Sequence, residues 1–308
     1  MNQHKSERQN DLLKWTWLSP QTFSLLPHEL AFGLFLLITW ARVVWVAGLL
    51  HPCALMLFGF WVGGIIGVVW AHQHPTPTRW RARLFIWGSM MGATYLLLGR
   101  VVPLIHPTHE DSLLRAMEFA LVRDLPQLLM VDWQRPWLTD LCTLFYLFFF
   151  YYIFAGPLHY WWRDLPRAKA CFGGLICMYS IGYLGYTCLP ALGPVNQLGV
   201  SQGGWIAQTG MTFVMERCNK VDVFPSIHFA ATFYLLLFDY KNYRARFWWL
   251  LLPCIGLWFS TVYLRFHYVV DLLAGMMLAF AAFWVATAIQ QSLATAAHNR
   301  QGPLPDEE

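Results

Sequence analysis

The chain has 308 residues, 57% of them hydrophobic and only 12% charged, with a mean hydropathy of +0.42. That composition is far from a soluble domain, and several runs reach the ~20 apolar residues needed to cross a bilayer, so it predicts a polytopic membrane protein. The net charge of +4 is a topology signal and gives no reason to invoke nucleic acid.

Met1 to His28 is polar and then interfacial, with Trp15 and Trp17 at the depth where aromatic belts form. It lacks the positive, apolar, small-residue order of a cleaved signal peptide, so the first span is expected to stay. Hydropathy then predicts eight helices: Glu29–Leu50, Pro52–Trp70, Leu84–Ile105, Leu138–Gly156, Ala170–Leu189, Phe224–Tyr240, Phe247–Leu264 and Tyr268–Gln290. No internal repeat or low-complexity segment is evident.

The connection from His106 to Trp137 is too long for a plain loop. Thr108 with Asp111 three residues later is a capping-box signature, and Leu113, Leu114, Met117 and Leu121 keep helical spacing. This segment reads either as a helix on the outer leaflet surface beside the lipid entrance or as packing that covers the bundle.

Loop charges orient the set. Lys5, Arg8, Lys14, Arg79, Arg81, Arg83, Arg163, Arg167, Lys169, Lys241, Arg244, Arg246 and Arg300 fall on one side, thirteen of the 21 Lys and Arg. The opposite connections hold six: Arg115, Arg123, Arg135, Arg217, Lys220 and Arg265. By the positive-inside rule both termini are cytoplasmic and the opposite face is extracytoplasmic.

Chemistry concentrates between Phe224 and Gly275. Two apolar runs flank a basic turn, so a helical hairpin returns His267 to the face that carries His228. His267 and Asp271 are four apart and share a helix face, where the carboxylate can hold one imidazole nitrogen and leave the other free to attack. Pro225 suits a first helical position, so the N–H groups near Ser226, Ile227 and His228 would form an anion site. Arg265 offers a guanidinium fork for phosphate oxygens. A lone membrane histidine is usually a packing residue, but two histidines and an aspartate on one face favour chemistry.

Pro225-Ser226-x-His228 followed by His267-x-x-x-Asp271 resembles the second and third motifs of the type 2 phosphatidic acid phosphatase superfamily. His267-Tyr268-x-x-Asp271, with Pro190-Ala191-Leu192-Gly193-Pro194 upstream, is closer to its inositol phosphorylceramide synthase-like (inositolphosphotransferase) branch. The likeness spans about Leu84 to Gln290. It implies that His267 attacks phosphorus and becomes phosphorylated, that Asp271 orients it, and that His228 protonates the leaving oxygen.

Two positions depart from the phosphatase pattern. Ser260-Thr261 stands where the family has Ser-Arg, and Gly193-Pro194 lies near the place of a basic first motif. Phosphate binding is therefore expected from Ser226, Arg265, Lys220, Arg217 and Arg100. Arg42 reads as structural, and Arg100 either snorkels or meets phosphate. His106-x-x-His109-Glu110 reads as solvated, and the implied chemistry needs no metal or cofactor. The seven cysteines follow no paired spacing; Cys188 and Cys218 alone share an extracytoplasmic connection and could pair or stay free.

The expected fold is an all-α, polytopic membrane bundle of about eight transmembrane helices. Residues 1–83 hold the N-terminal tail and two additional helices, 84–290 the six-helix core, and 291–308 a cytoplasmic tail. The expected function is transfer of a phosphoryl or phospho-head group from a lipid phosphate substrate to water or an alcohol acceptor among membrane lipids. For a bacterial source the location would be the plasma (inner) membrane. The competing class is an inactive lipid transporter or scaffold of the same fold.

Overall fold

Proline and small polar residues set where the helices begin. Pro27, Pro52, Pro77 and Pro136 each stand in the first turn of a helix, where a missing N–H leaves no bond unmade. His51 Nδ1 accepts from the Cys53 N–H (3.2 Å), Thr76 Oγ1 from Arg79 (3.3 Å) and Asp164 Oδ1 from Arg167 (2.9 Å). These side chains take up amides with no partner inside their own helix.

The computed structural model describes residues 25–123, 126 and 130–301, all helix and connection with no strand among them. In chain order the helices are α1 Pro27–Ala47, α2 Pro52–Gln73, α3 Pro77–Ile105, α4 Asp111–Val122, α5 Pro136–Arg163 and α6 Leu165–Cys188. Then follow α7 Val195–Leu198, α8 Trp205–Arg217, α9 Ile227–Asn242, α10 Arg244–Tyr263 and α11 Val269–Gln301. Helices α1, α2, α3, α5, α6, α10 and α11 are long and apolar enough to cross a membrane. The chain is a multi-pass integral membrane protein. The expectations for Trp15, Trp17, Lys5, Arg8 and Lys14 fall outside the described residues.

A helix stands at each of the eight predicted places, several with longer ends, and seven of the eight are long and apolar enough to cross a membrane. Helix α3 starts at Pro77 rather than Leu84, and α5 continues through Pro157 to Arg163 instead of stopping at Gly156. The added turns carry interfacial groups that lower hydropathy while the helix goes on. Arg81 Nε donates to the Trp161 carbonyl (2.9 Å) and Trp161 Nε1 to the Arg81 carbonyl (2.8 Å), tying those two ends together. The sixth predicted span is α9, whose 16 residues cover about 24 Å. It runs enclosed by α5, α6, α10 and α11, with Ala230, Tyr234, Leu235 and Phe238 fully buried.

Helix α6 is the centre of the bundle. Its apolar window is 72% buried, against 28–44% for the other six spans. The α1 helix is held by the ion pair of Glu29 with Arg83, both shut off from solvent, and Glu29 also accepts from the Leu26 N–H (2.7 Å). Arg42 donates to Thr187 Oγ1 and to its carbonyl oxygen, each at 2.9 Å, a structural use of that cation. At the arginine-rich face Asp239 gathers Arg246 and the hydroxyls of Tyr152 and Tyr160 (2.7 Å each).

Between Leu189 and Phe224 the sequence reading placed no helix, and the structure has α7 and α8 there. Gly204 at the start of α8 has no capping side chain of its own. Asp140 of α5 accepts the Ala207 N–H instead (2.8 Å), so the cap is tertiary and leaves no local pattern. The helix expected between His106 and Trp137 is α4, but its capping signature is not realised: Glu110 is the N-cap and makes no side-chain cap bond. The Asp111 carboxylate reaches out of the helix altogether.

Candidate active site

The α9–α10 hairpin returns residues 264–268 to the face where α9 begins. Ser226 is the N-cap of α9, its Oγ accepting from the Phe229 N–H at 3.3 Å. Pro225 therefore lies before the cap, in a cis peptide with Phe224, and does not occupy the first helical position expected of it. Gly275 brings α11 against this start: a Cβ there would stand 2.6 Å from the Ser226 carbonyl oxygen. The close approach lets the Ser226 N–H donate to the Asp271 carbonyl oxygen (3.1 Å). That amide is spent inside the protein and does not face outward as an anion donor.

Helix α11 starts at Val269, so His267 sits just before it and Asp271 in its first turn. Asp271 Oδ2 accepts from the Tyr268 N–H (2.8 Å), the reach-back of a first-turn acid. The same oxygen lies 3.4 Å from His267 Nδ1. His267 Nε2 lies 3.4 Å from His228 Nδ1, and His228 Nε2 lies 3.1 Å from the Tyr146 hydroxyl. The result is a continuous chain from Asp271 through both imidazoles to Tyr146. Contacts of 3.4 Å are long, as catalytic contacts are before substrate draws them together. With an Nδ1–H on Asp271, the Nε2 lone pair of His267 is left for an electrophile. The His228 ring is held between Phe149 and Tyr146, at centroid distances of 4.4 and 4.9 Å.

A cavity of about 270 Å³ opens on this chain, with His228, His267, Tyr146, Lys220, Asp222 and Asn196 on its wall. Of the cations expected to bind phosphate, Lys220 lines it. Arg265 is turned away, its guanidinium donating to the Leu198 and Gly199 carbonyl oxygens, where burial pulls its pKa down. Arg217 is exposed beside Glu216 (3.5 Å) and over the Phe213 ring, and Arg100 is exposed on α3. Ser226 is fully buried with its hydroxyl on its own helix. His106 contacts Glu110 (3.3 Å), and Cys188 and Cys218 are free thiols.

Tyr146 and Asp222 are among the wall residues that escaped the sequence reading. Tyr146 is hidden in the aromatic run of residues 145–152, where nothing distinguishes one ring from the next. Asp222, three residues before Pro225, was the more findable, as an acid beside the motif. It accepts from the Tyr95 hydroxyl at 2.6 Å. Burial pushes the neighbouring Cys218 thiol up, and the Asp222 charge adds to the effect.

A family model of the PAP2 superfamily matches residues 112–285, more than half of the chain and the whole of the His228, His267 and Asp271 arrangement. The chain belongs to the PAP2 superfamily. No curated protein and no solved structure matches it. Membership places this membrane protein with phosphatases and phosphotransferases. The PAP2 match begins within α4 and ends within α11.

Proposed function

We propose that this chain is a lipid phosphatase or phosphotransferase that works through a phosphohistidine on His267. The observation that carries the reading is the aligned series of Asp271, His267, His228 and Tyr146 beside a cavity that also holds Lys220. His267 Nε2 attacks phosphorus, the bond from phosphorus to the ester oxygen breaks, and His228 supplies the proton that the leaving oxygen takes. Water or an alcohol then attacks phosphorus, its proton passing to the His228 that the first step left neutral, and the bond from phosphorus to His267 Nε2 breaks. The 3.4 Å between the two ring nitrogens leaves no width for a phosphoryl group, so substrate binding turns one ring aside. Lys220 neutralises phosphate charge, which is where most of the rate in phosphoryl transfer arises.

The six-helix core is assigned to residues 84–290, with α1 and α2 as additions. The inositol phosphorylceramide synthase-like branch is the closer relation, on His267-Tyr268-x-x-Asp271 and the Pro190–Pro194 segment. The site faces the extracytoplasmic side, on the charge split of the loops.

Purified protein given phosphatidate, a polyprenyl diphosphate or phosphatidylinositol, with and without an alcohol acceptor, tests this directly. Free phosphate alone means hydrolase, and a new head-group lipid means transferase. Brief exposure to labelled substrate should leave acid-labile, base-stable phosphate on the wild type and on none of the His267→Ala protein. Label on His267→Ala but not on His228→Ala would reverse the two roles. The scattering of the other candidate cations away from the cavity favours a second reading, a lipid carrier without chemistry; it predicts bound lipid phosphate and no label at all.

A further inference from the structure

Helix α4 contributes none of the described residues on the cavity wall, yet it holds both sides of His267. Glu118 is fully buried, and its two carboxylate oxygens accept from the Val269 and Val270 N–H groups, each at 2.9 Å. Those amides open α11, the helix whose first turn carries Asp271. Such amides have no intrahelical partner and form a positive end that favours an anion. Most helices meet this need with a local side chain. Here Tyr268 occupies the preceding position, and the acid comes from a helix some 150 residues earlier. An anion buried this completely is stable only while such donors hold it.

Asp111, at the other end of α4, accepts from the Leu192 N–H (2.9 Å) and the Gly193 N–H (2.8 Å), and the Tyr268 hydroxyl stands 3.4 Å away. Gly193 has φ +80°, and a Cβ there would lie 2.7 Å from the Phe266 carbonyl oxygen, one residue before His267. The Val195 N–H donates to the Arg265 carbonyl oxygen at 2.7 Å. The strand of chain from Pro190 to Val195 is thus pinned by α4 on one side and pressed against the His267 turn on the other. Leu114 fills the space beneath, with Ala191, Val223 and Tyr268.

We infer that Glu118 and Asp111 are the positioning residues of the His267–Asp271 pair, acting through the start of α11 and through Gly193. This rests on the reading of His267 as nucleophile. The sensitivity expected is large, because a displacement of about 1 Å at a reacting atom costs on the order of 10²-fold in rate.

The test compares wild type, Glu118→Gln, Asp111→Asn and Phe119→Ser, the last on the exposed face of α4 (64% exposed). Phosphoenzyme formation is timed in a single turnover with phosphatidate labelled in its phosphate, and amide hydrogen exchange is read over residues 266–272. Glu118→Gln should slow labelling about 10²-fold with KM unchanged. Exchange should rise at 266–272 and not in α5 or α6, while Phe119→Ser should alter neither readout. Wild-type labelling and protection in Glu118→Gln would overturn the inference, and so would a loss of protection spread through α5 and α6, which marks mere structural support. If Glu118→Gln does not fold, Asp111→Asn carries the same comparison. If the wild type takes no label, the proposed chemistry fails, and exchange at 266–272 still decides the positioning role.

Discussion

Lys220 and Arg265 both adopt left-handed backbone, with φ of 56° and 68°, a conformation that costs a side chain about 1–3 kcal/mol and persists only where the surroundings hold it. Both flank the candidate site. The φ of Lys220 turns its chain onto the cavity wall, while that of Arg265 bends the chain back so that His267 can face His228. Cys218, two residues before Lys220, shares that wall and provides a reporter. Its thiol is raised by burial first and by Asp222 second, so at pH 8 less of it is thiolate than for an ordinary cysteine. Alkylation should be slow there and climb only at higher pH, and phosphatidate should protect the thiol while the site is filled. Equal modification with and without phosphatidate would place substrate elsewhere.

Among the elements, α1 carries a buried ion pair in addition to its apolar packing and its Arg42 contact with Thr187. Glu29 and Arg83 are fully enclosed, and Glu29 also anchors the Leu26 amide, so removing either partner breaks a buried ion pair. Glu29→Ala should cost about 3–5 kcal/mol, seen as a lowered unfolding temperature in detergent. Replacing both residues by apolar ones of similar size, Glu29→Leu with Arg83→Met, should recover much of that loss. A double variant no more stable than Glu29→Ala would show that the pair does more than neutralise itself. The α4 helix is coupled differently, through backbone amides of the site, so its loss should appear in rate before stability.

For the whole molecule, the arginine-rich connections and the candidate site lie at opposite ends of the bundle, and orientation decides which pool of substrate the site meets. In a background free of other cysteines, Gln202→Cys in intact cells should react with a membrane-impermeant thiol reagent. Lys241→Cys should resist until the membrane is opened. Both positions are exposed, so burial does not bias the comparison. The reverse pattern would put the site on the cytoplasmic side and remove the extracytoplasmic assignment.

The sequence by itself determined the membrane class, the places of eight helices, seven of them long enough to cross, and the grouping of His228, His267 and Asp271. Hydropathy over a span is a sum over neighbours, and a four-residue spacing at a helix start is a local relation, so neither needs the fold. Helix ends were misjudged at Pro77 and Arg163 because interfacial arginines and tryptophans lower hydropathy before the backbone stops. Tertiary structure alone decided which cation meets the cavity, since a left-handed residue at 220 or 265 sends a side chain where no periodicity points. It also decided that α8 is capped by Asp140 and α11 by Glu118, acids that lie 67 and about 150 residues away from the amides they hold. Tyr146 became a partner of His228 for the same reason: packing singled out one ring in an aromatic run, and packing is a property of the assembled bundle.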